Sequence, residues 1–201
     1  MLKVGLTGGL ASGKSFVGSA LEALGCRVIR ADLLGHQVLA RDGEAFADVV
    51  AAFGSGILAE DGAIDRRKLA ALVFGHPERL QRLNSLVHPW VVRREEQAME
   101  EFARTEPDCI AVVEAAILIE TGSYRRFDRL IVVVCSPEEQ VRRAMKRDHL
   151  TREEVEARLR HQWPLAEKKK YADFVIDTSG EKEETLRQVR TVYQALRRIA
   201  Q

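Results

Sequence analysis

Five short apolar runs punctuate the chain, and between them apolar residues recur at helical spacing. The first run is Leu2-Lys3-Val4-Gly5-Leu6-Thr7, and Arg27-Val28-Ile29-Arg30 is a short second one ending at Ala31-Asp32. Cys109-Ile110-Ala111-Val112-Val113 and Leu130-Ile131-Val132-Val133-Val134 are continuous and rich in β-branched residues, which suits parallel strands covered on both faces. Phe174-Val175-Ile176 is the fifth. Phe16, Val17, Ala20, Leu21 and Leu24 predict a helix over 13–24, stopped by Gly25. Ser136-Pro137-Glu138-Glu139 opens another with a cap residue, a first-turn proline and a reciprocal glutamate, and Thr151-Arg152-Glu153-Glu154 repeats the capping logic. From Glu181 a last amphipathic helix turns Leu186, Val189, Val192, Leu196 and Ile199 inward.

Residues 32 to about 107 differ: they are polar, helical and without a convincing long strand. Asp65 reads as the N-cap of a helix over 66–74, at Phe74, and Pro77 restarts a helix that Pro89 interrupts or bends. Strands alternating with helices predict an α/β fold with a parallel sheet, right-handed crossovers and ligands at the carboxyl ends of the strands. The stretch 32–107 reads as a helical insertion into a core made of 1–31 and 108–201. At 201 residues the chain can bury one sizeable core.

The sharpest signal follows the first run. Gly8-Gly9-Leu10-Ala11-Ser12-Gly13-Lys14-Ser15 spells G-x-x-x-x-G-K-S between a strand and a helix, the setting of a phosphate-binding loop. Its glycines let backbone N–H groups form an anion nest. Lys14 supplies a charge for the β- and γ-phosphates, the Ser15 hydroxyl can hold Mg²⁺, and the helix start adds its positive dipole end. The expected nucleotide-binding set is Gly8, Gly9, Ala11, Ser12, Gly13, Lys14, Ser15 and Phe16.

Charge and cysteine usage narrow the rest. Lys and Arg number 31 against 30 Asp and Glu, a net charge of +1 that gives no global pull toward nucleic acid or membrane. Cys26, Cys109 and Cys135 are widely spaced and read as buried packing residues. His36, His76, His88, His149 and His161 lack zinc-ligand spacing. Without a signal peptide or membrane-length apolar run, the chain reads as cytoplasmic.

Several residues are placed for chemistry, each with a plainer reading beside it. Asp32, at the end of the second strand, can take a proton from a substrate hydroxyl; it can equally cap a helix beginning at Leu33. Arg143 and Arg147 lie four apart on one helical face and can grip phosphate oxygens; a solvated basic face balanced by Glu138, Glu139 and Asp148 is the alternative. Glu114 ends the third strand, where a carboxylate near Mg²⁺ is common in such folds, with Glu120 a weaker candidate. Either can be a helix-start acid instead. His88-Pro89 reads from spacing alone as a packed histidine, and Lys168-Lys169-Lys170 as a solvated run.

Taken together, the chain resembles the dephospho-CoA kinase family nearly end to end. The resemblance rests on G-L-T-G-G-x-x-S-G-K-S at 5–15, A-D at 31–32, F-G at 53–54, D-G-x-I-D-R at 61–66 and L-x-x-x-V-H-P at 83–89. It continues through L-I-E-T-G at 118–122, Q-x-x-R-x-x-x-R-D at 140–148 and Q-x-P-L-x-E-K-x-x-x-A-D at 162–173. It implies a P-loop NTPase core with a five-stranded parallel sheet, a helical CoA-binding insertion over 32–107 and a short lid at about 137–150. It also implies ATP and Mg²⁺ as cofactors and phosphorylation of the 3′-hydroxyl of dephospho-CoA, with neither nucleic acid nor membrane as partner and a monomer or small homo-oligomer. Asp32 then matches the base, Lys14, Arg143 and Arg147 the phosphate-handling cations, and His88 and Glu114 positions at the acceptor. Arg30, Phe16, Ala115-Ala116 and Thr178 depart from the common pattern, the last where an asparagine often faces adenine. A nucleotide or nucleoside kinase on the same core is the nearest rival. A GTP switch lacks its guanine motif here, and a nucleic-acid ATPase lacks basic-aromatic interleaving.

Overall fold

In the computed structural model, residues 1–73, 75–160 and 162–201 are described; Phe74, the expected helix end, and His161 lie outside them. The chain divides into two compact units, one of Met1–Arg30 with Glu100–Gln201 and one of Ala31–Met99.

In the first unit, five strands among the described residues form one parallel sheet: β1 (Leu2–Gly8), β2 (Arg27–Arg30), β3 (Ile110–Glu114), β4 (Arg129–Val134) and β5 (Phe174–Asp177). Their order is β2-β3-β1-β4-β5. The chain leaves β1 toward β2 and leaves β4 toward β5, on opposite sides, so the β1/β4 carboxyl ends form the topological switch point where such sheets hold ligands. Helix α1 (Lys14–Ala23) follows β1 and stops where Gly25 takes φ +98°. It shares one sheet face with the C-terminal helix, labelled α9 below: Leu2, Val4 and Leu6 pack with Val17, Leu21, Val189, Val192 and Leu196. Each such fully buried aliphatic contributes about 1.5–3 kcal/mol. The other face is just as dry, since a Cβ on Gly5 would lie 2.9 Å from side-chain atoms of Leu130 and Phe127.

The second unit carries α2 (Ala31–Val38), α3 (Phe46–Phe53), α4 (Arg66–Val73) and most of α5 (Pro77–Thr105). Asp65 caps α4 as expected: its Oδ1 accepts the N–H of Arg67 at 2.8 Å and of Lys68 at 3.2 Å. Pro89 does not interrupt α5, which runs unbroken through it. Burial of Val87, Val91 and Met99 along one face offsets the backbone hydrogen bond the proline removes.

Three helices complete the first unit beyond β4: α6 (Pro137–Asp148), α7 (Arg152–Leu159) and the short α8 (Leu165–Lys168), before α9 (Lys182–Ile199). Thr151 and Glu154 form a full capping box on α7. On α6 only half of one exists. Ser136 Oγ accepts the Glu139 N–H at 3.2 Å, but the Glu139 carboxylate turns to Arg142 (2.7 Å) and Arg143 (3.0 Å). A charge-assisted pair outcompetes one backbone donor, and Ser136 N–H goes instead to Ser179 Oγ at 2.9 Å. In α9 the inner stripe passes through Thr185, Val189, Val192 and Leu196, while Ile199, the last residue of the helix, is exposed. All three cysteines are buried and unpaired, and burial pushes the Cys26 thiol up to about 12.

Candidate active site

The phosphate loop is shaped by close approaches that only glycine allows. A Cβ on Gly8 would sit 2.5 Å from Ser12 Oγ and 2.6 Å from the Val133 carbonyl oxygen. Gly13, at φ +89°, precedes α1 with its α-carbon facing Thr178. Ala11 also adopts a left-handed backbone, φ +55°, strain of the kind that marks ligand clamps. Gly8→Ala is therefore expected to destabilise the fold by about 1–3 kcal/mol, because the carbonyl it meets belongs to a central strand. Thermal melting with and without Mg-ATP checks this, and the variant should also lose ligand-induced stabilisation.

No side chain caps the start of α1, so its first-turn N–H groups remain open toward the loop. Two other loop amides are already used: Ser12 N–H donates to the Gly9 carbonyl at 3.2 Å and Leu10 N–H to Gln162 Oε1 at 2.8 Å. The Lys14 ammonium has no protein acceptor among the described residues. Ala11, Ser12, Gly13, Lys14, Ser15, Phe16, Arg143 and Arg147 together line one cleft of about 230 Å³. The structure thus brings the two arginines of α6 to the phosphate loop.

The basic-face reading of those arginines also holds in part. Arg147 pairs with Asp148 at 2.8 Å, and Arg143 Nε lies 3.0 Å from Glu139. Arg143 is further braced by Thr178: Nη1 donates to the hydroxyl at 2.9 Å and Nη2 to the carbonyl at 2.6 Å. One N–H on each terminal nitrogen is left for a ligand. Thr178 is buried, and its own hydroxyl donates to the Ser12 carbonyl at 2.8 Å. Its side chain therefore ties α6 to the loop. Behind α6, Val141, Ala144 and Val155 form a small core against Leu10 and Ala11, so the α6–α7 hairpin packs on the loop through apolar contacts as well.

Glu114 and Ser15 form the other side of the site. Ser15 Oγ donates to Glu114 Oε1 at 2.7 Å, which leaves the serine oxygen's lone pairs open. Glu114 Oε2 is buried with no hydrogen-bond donor among the described residues, and Arg30 Nε stays 3.9 Å away. An orphaned buried carboxylate oxygen beside an accepting hydroxyl fits a hydrated divalent cation. No group of three acidic, histidine or cysteine side chains that could hold a metal ion occurs among the described residues.

Two residues differ here from their sequence reading. Glu120, the weaker metal candidate, is engaged through Oε1, which lies 2.8 Å from Lys168 Nζ and accepts the Trp163 N–H at 3.1 Å, while its buried Oε2 meets no donor among the described residues. Lys168 is not solvated like its neighbours; it has no exposed surface. Three interior acceptors draw it in, and burial holds its pKa below the usual lysine range, with Glu120 opposing that shift and Lys14 adding to it. Gln162, Thr178 and Lys168 carried no periodic or spacing signal of their own. Gln162 and Lys168 stand inside a motif shared with a known family, and Thr178 stands out only as a departure from that family's pattern.

In the second unit, Asp32 lies in the first turn of α2 and is not its cap, because the helix begins at Ala31 directly after β2. Its carboxylate is exposed and makes no hydrogen bond among the described residues. His88 sits within α5, where burial lowers its pKa from the ordinary 6.5. The folded state then binds fewer protons than the unfolded one, so this contribution is complete above about pH 6.5 and is lost as the pH falls through and below it. His88→Asn is expected to flatten the fall of Tm between about pH 7 and 5, as measured by calorimetry across that range.

No helix among the described residues is long and apolar enough to cross a membrane. The sequence model of the family described as dephospho-CoA kinase matches residues 2–184. The dephospho-CoA kinase of Aquifex aeolicus is 40% identical over 198 residues, covering 98% of this chain and 99% of its own. A solved structure from Thermus thermophilus, 37% identical, superposes with a TM-score of 0.82 over 97% of both chains. The solved dephospho-CoA kinase of Campylobacter jejuni, 26% identical, does so with a TM-score of 0.72 over 99% of this chain and 98% of that one. A match from residue 2 to residue 184 spans the phosphate loop, the strand ends behind it and the arginine-bearing helix together, so the chain belongs to the dephospho-CoA kinase family.

Proposed function

We propose that this protein transfers the γ-phosphoryl group of ATP to the ribose 3′-hydroxyl of dephospho-CoA, giving CoA and ADP, the last step of coenzyme A biosynthesis. The observation that carries the reading is the single cleft lined by Lys14, Ser15, Arg143 and Arg147. Phosphoryl transfer asks for alignment and charge neutralisation, and this cleft offers three cations and a helix start for one polyanion. Lys14 and the open amides hold the triphosphate tail. Arg143, braced by Thr178 and Glu139, presents its remaining N–H groups to the oxygens that gain charge.

The acceptor oxygen attacks the γ-phosphorus, the bond to the β–γ bridging oxygen breaks, and the 3′-hydroxyl proton passes to Asp32. An exposed carboxylate without a competing donor is available for that proton. Mg²⁺ would be held by Ser15, with Glu114 orienting the hydroxyl or an intervening water, and supplies charge neutralisation at the phosphates. The helical unit of residues 31–99 receives the acceptor, with His88 among its contacts, and α6–α7 serves as the lid. A cytoplasmic monomer or small homo-oligomer completes the reading.

The test is direct. Purified protein with Mg-ATP should convert dephospho-CoA into a product heavier by one phosphate, seen by mass spectrometry, and EDTA should stop it. Phosphorylation of AMP or adenosine in preference to dephospho-CoA would reject the reading.

A further inference from the structure

Lys168 is a charged side chain with no exposed surface, and the transfer described above does not use it. It is fully buried, and its three ammonium protons meet three acceptors: Ala116 O at 2.9 Å, Gly8 O at 3.3 Å and Glu120 Oε1 at 2.8 Å. Gly8 is both the end of β1 and the start of the phosphate loop, and Ala116 lies just beyond β3. One ammonium therefore spans the carboxyl ends of two neighbouring strands.

Further bonds tighten the same place. Ala116 O also accepts Thr7 Oγ1 at 3.1 Å, and Glu120 accepts the N–H of Trp163, the residue after the Gln162 that holds Leu10 N–H. The loop is thus fixed at Gly8 from one side and at Leu10 from the other. Stability alone is a poor reason for this arrangement, because well-packed apolar residues usually equal or exceed a buried ion pair. Direct contact with a nucleotide is equally poor, since the side chain has no exposed surface and no spare proton.

We propose that Lys168 is a positioning residue for phosphoryl transfer: it pins the Gly8 carbonyl and so sets the direction in which β1 delivers the loop amides and Lys14 to the triphosphate. Glu120 neutralises the added charge while leaving the two carbonyl bonds directional. The inference rests on the nucleotide reading of this cleft and assigns that site a residue outside the phosphate-loop motif.

The test separates folding from positioning. Lys168→Met combined with Glu120→Gln leaves no unpaired buried charge and keeps an acceptor for Trp163 N–H. This double variant is expected to melt close to the wild type yet bind Mg-ATP, measured by calorimetry without acceptor, about tenfold more weakly. Its kcat should fall about ten- to a hundredfold while KM for dephospho-CoA stays within about twofold. Wild-type ATP affinity and kcat in the folded double variant would overturn the proposal, as would an equal rise in both KM values, which marks general loosening. Should the double variant not fold, Lys168→Leu with Glu120→Gln, which also leaves no unpaired buried charge, is read by the same criteria. The calorimetric arm needs no acceptor, so a wild type inactive on dephospho-CoA would reject the proposed substrate and leave the Lys168 result readable.

Discussion

Lys14→Met is expected to lower kcat/KM by about 10³-fold, with most of the loss in kcat. Lys14 is a cation in the phosphate loop whose ammonium has no protein acceptor among the described residues, so the fold gives it nothing to neutralise. Its charge becomes useful only when a polyanion lies in the cleft, and more so as charge develops on the transferring group. The apolar stem of methionine keeps the contacts of the lysine chain, so Tm without ligand should move by less than the effect of Gly8→Ala. Steady-state kinetics beside melting of the unliganded protein checks both halves. A variant retaining a tenth or more of wild-type turnover would remove Lys14 from the mechanism.

Asp32→Asn is the second large effect, about 10²–10⁴-fold in kcat with Mg-ATP affinity unchanged. Asparagine has the same shape but cannot take the hydroxyl proton. The substitution also separates chemistry from helix electrostatics. An acid in the first turn of α2 favours the helix dipole by about 0.3–1 kcal/mol, so Asn should cost no more than that in stability. Full activity with a small drop in Tm would make Asp32 a first-turn acid and nothing else.

How far the site could be read from residues depends on the range of the interactions. The phosphate loop was legible because strand, glycines, lysine and helix start are contiguous, and each is a local backbone or charge requirement. Val28-Ile29 and Phe174-Val175-Ile176 were legible as strands from β-branched and aromatic content between turn signals. The capping box at Thr151 followed from three-residue spacing. The box expected at Ser136 failed on its second half because Arg142 and Arg143 stand within reach of Glu139, a competition that cap spacing does not register. Pro89 does not end α5 for a related reason: a proline's local cost is fixed, while the burial that outweighs it is tertiary.

The sequence alone determined the alternation of strands and helices, the anion nest and the kinds of charge around it, because periodicity, glycine conformation and helix ends are set within a few residues. Only the tertiary structure decided that one lysine of a three-lysine run is interior, that Glu120 serves it, and that Thr178 braces Arg143 against the loop. Those outcomes join residues up to 166 positions apart, Thr178 to Ser12, and Lys168 to Gly8 across 160. A side chain's charge is written in its own letter, but whether water or protein surrounds it is settled by distant segments that meet only when the sheet is assembled.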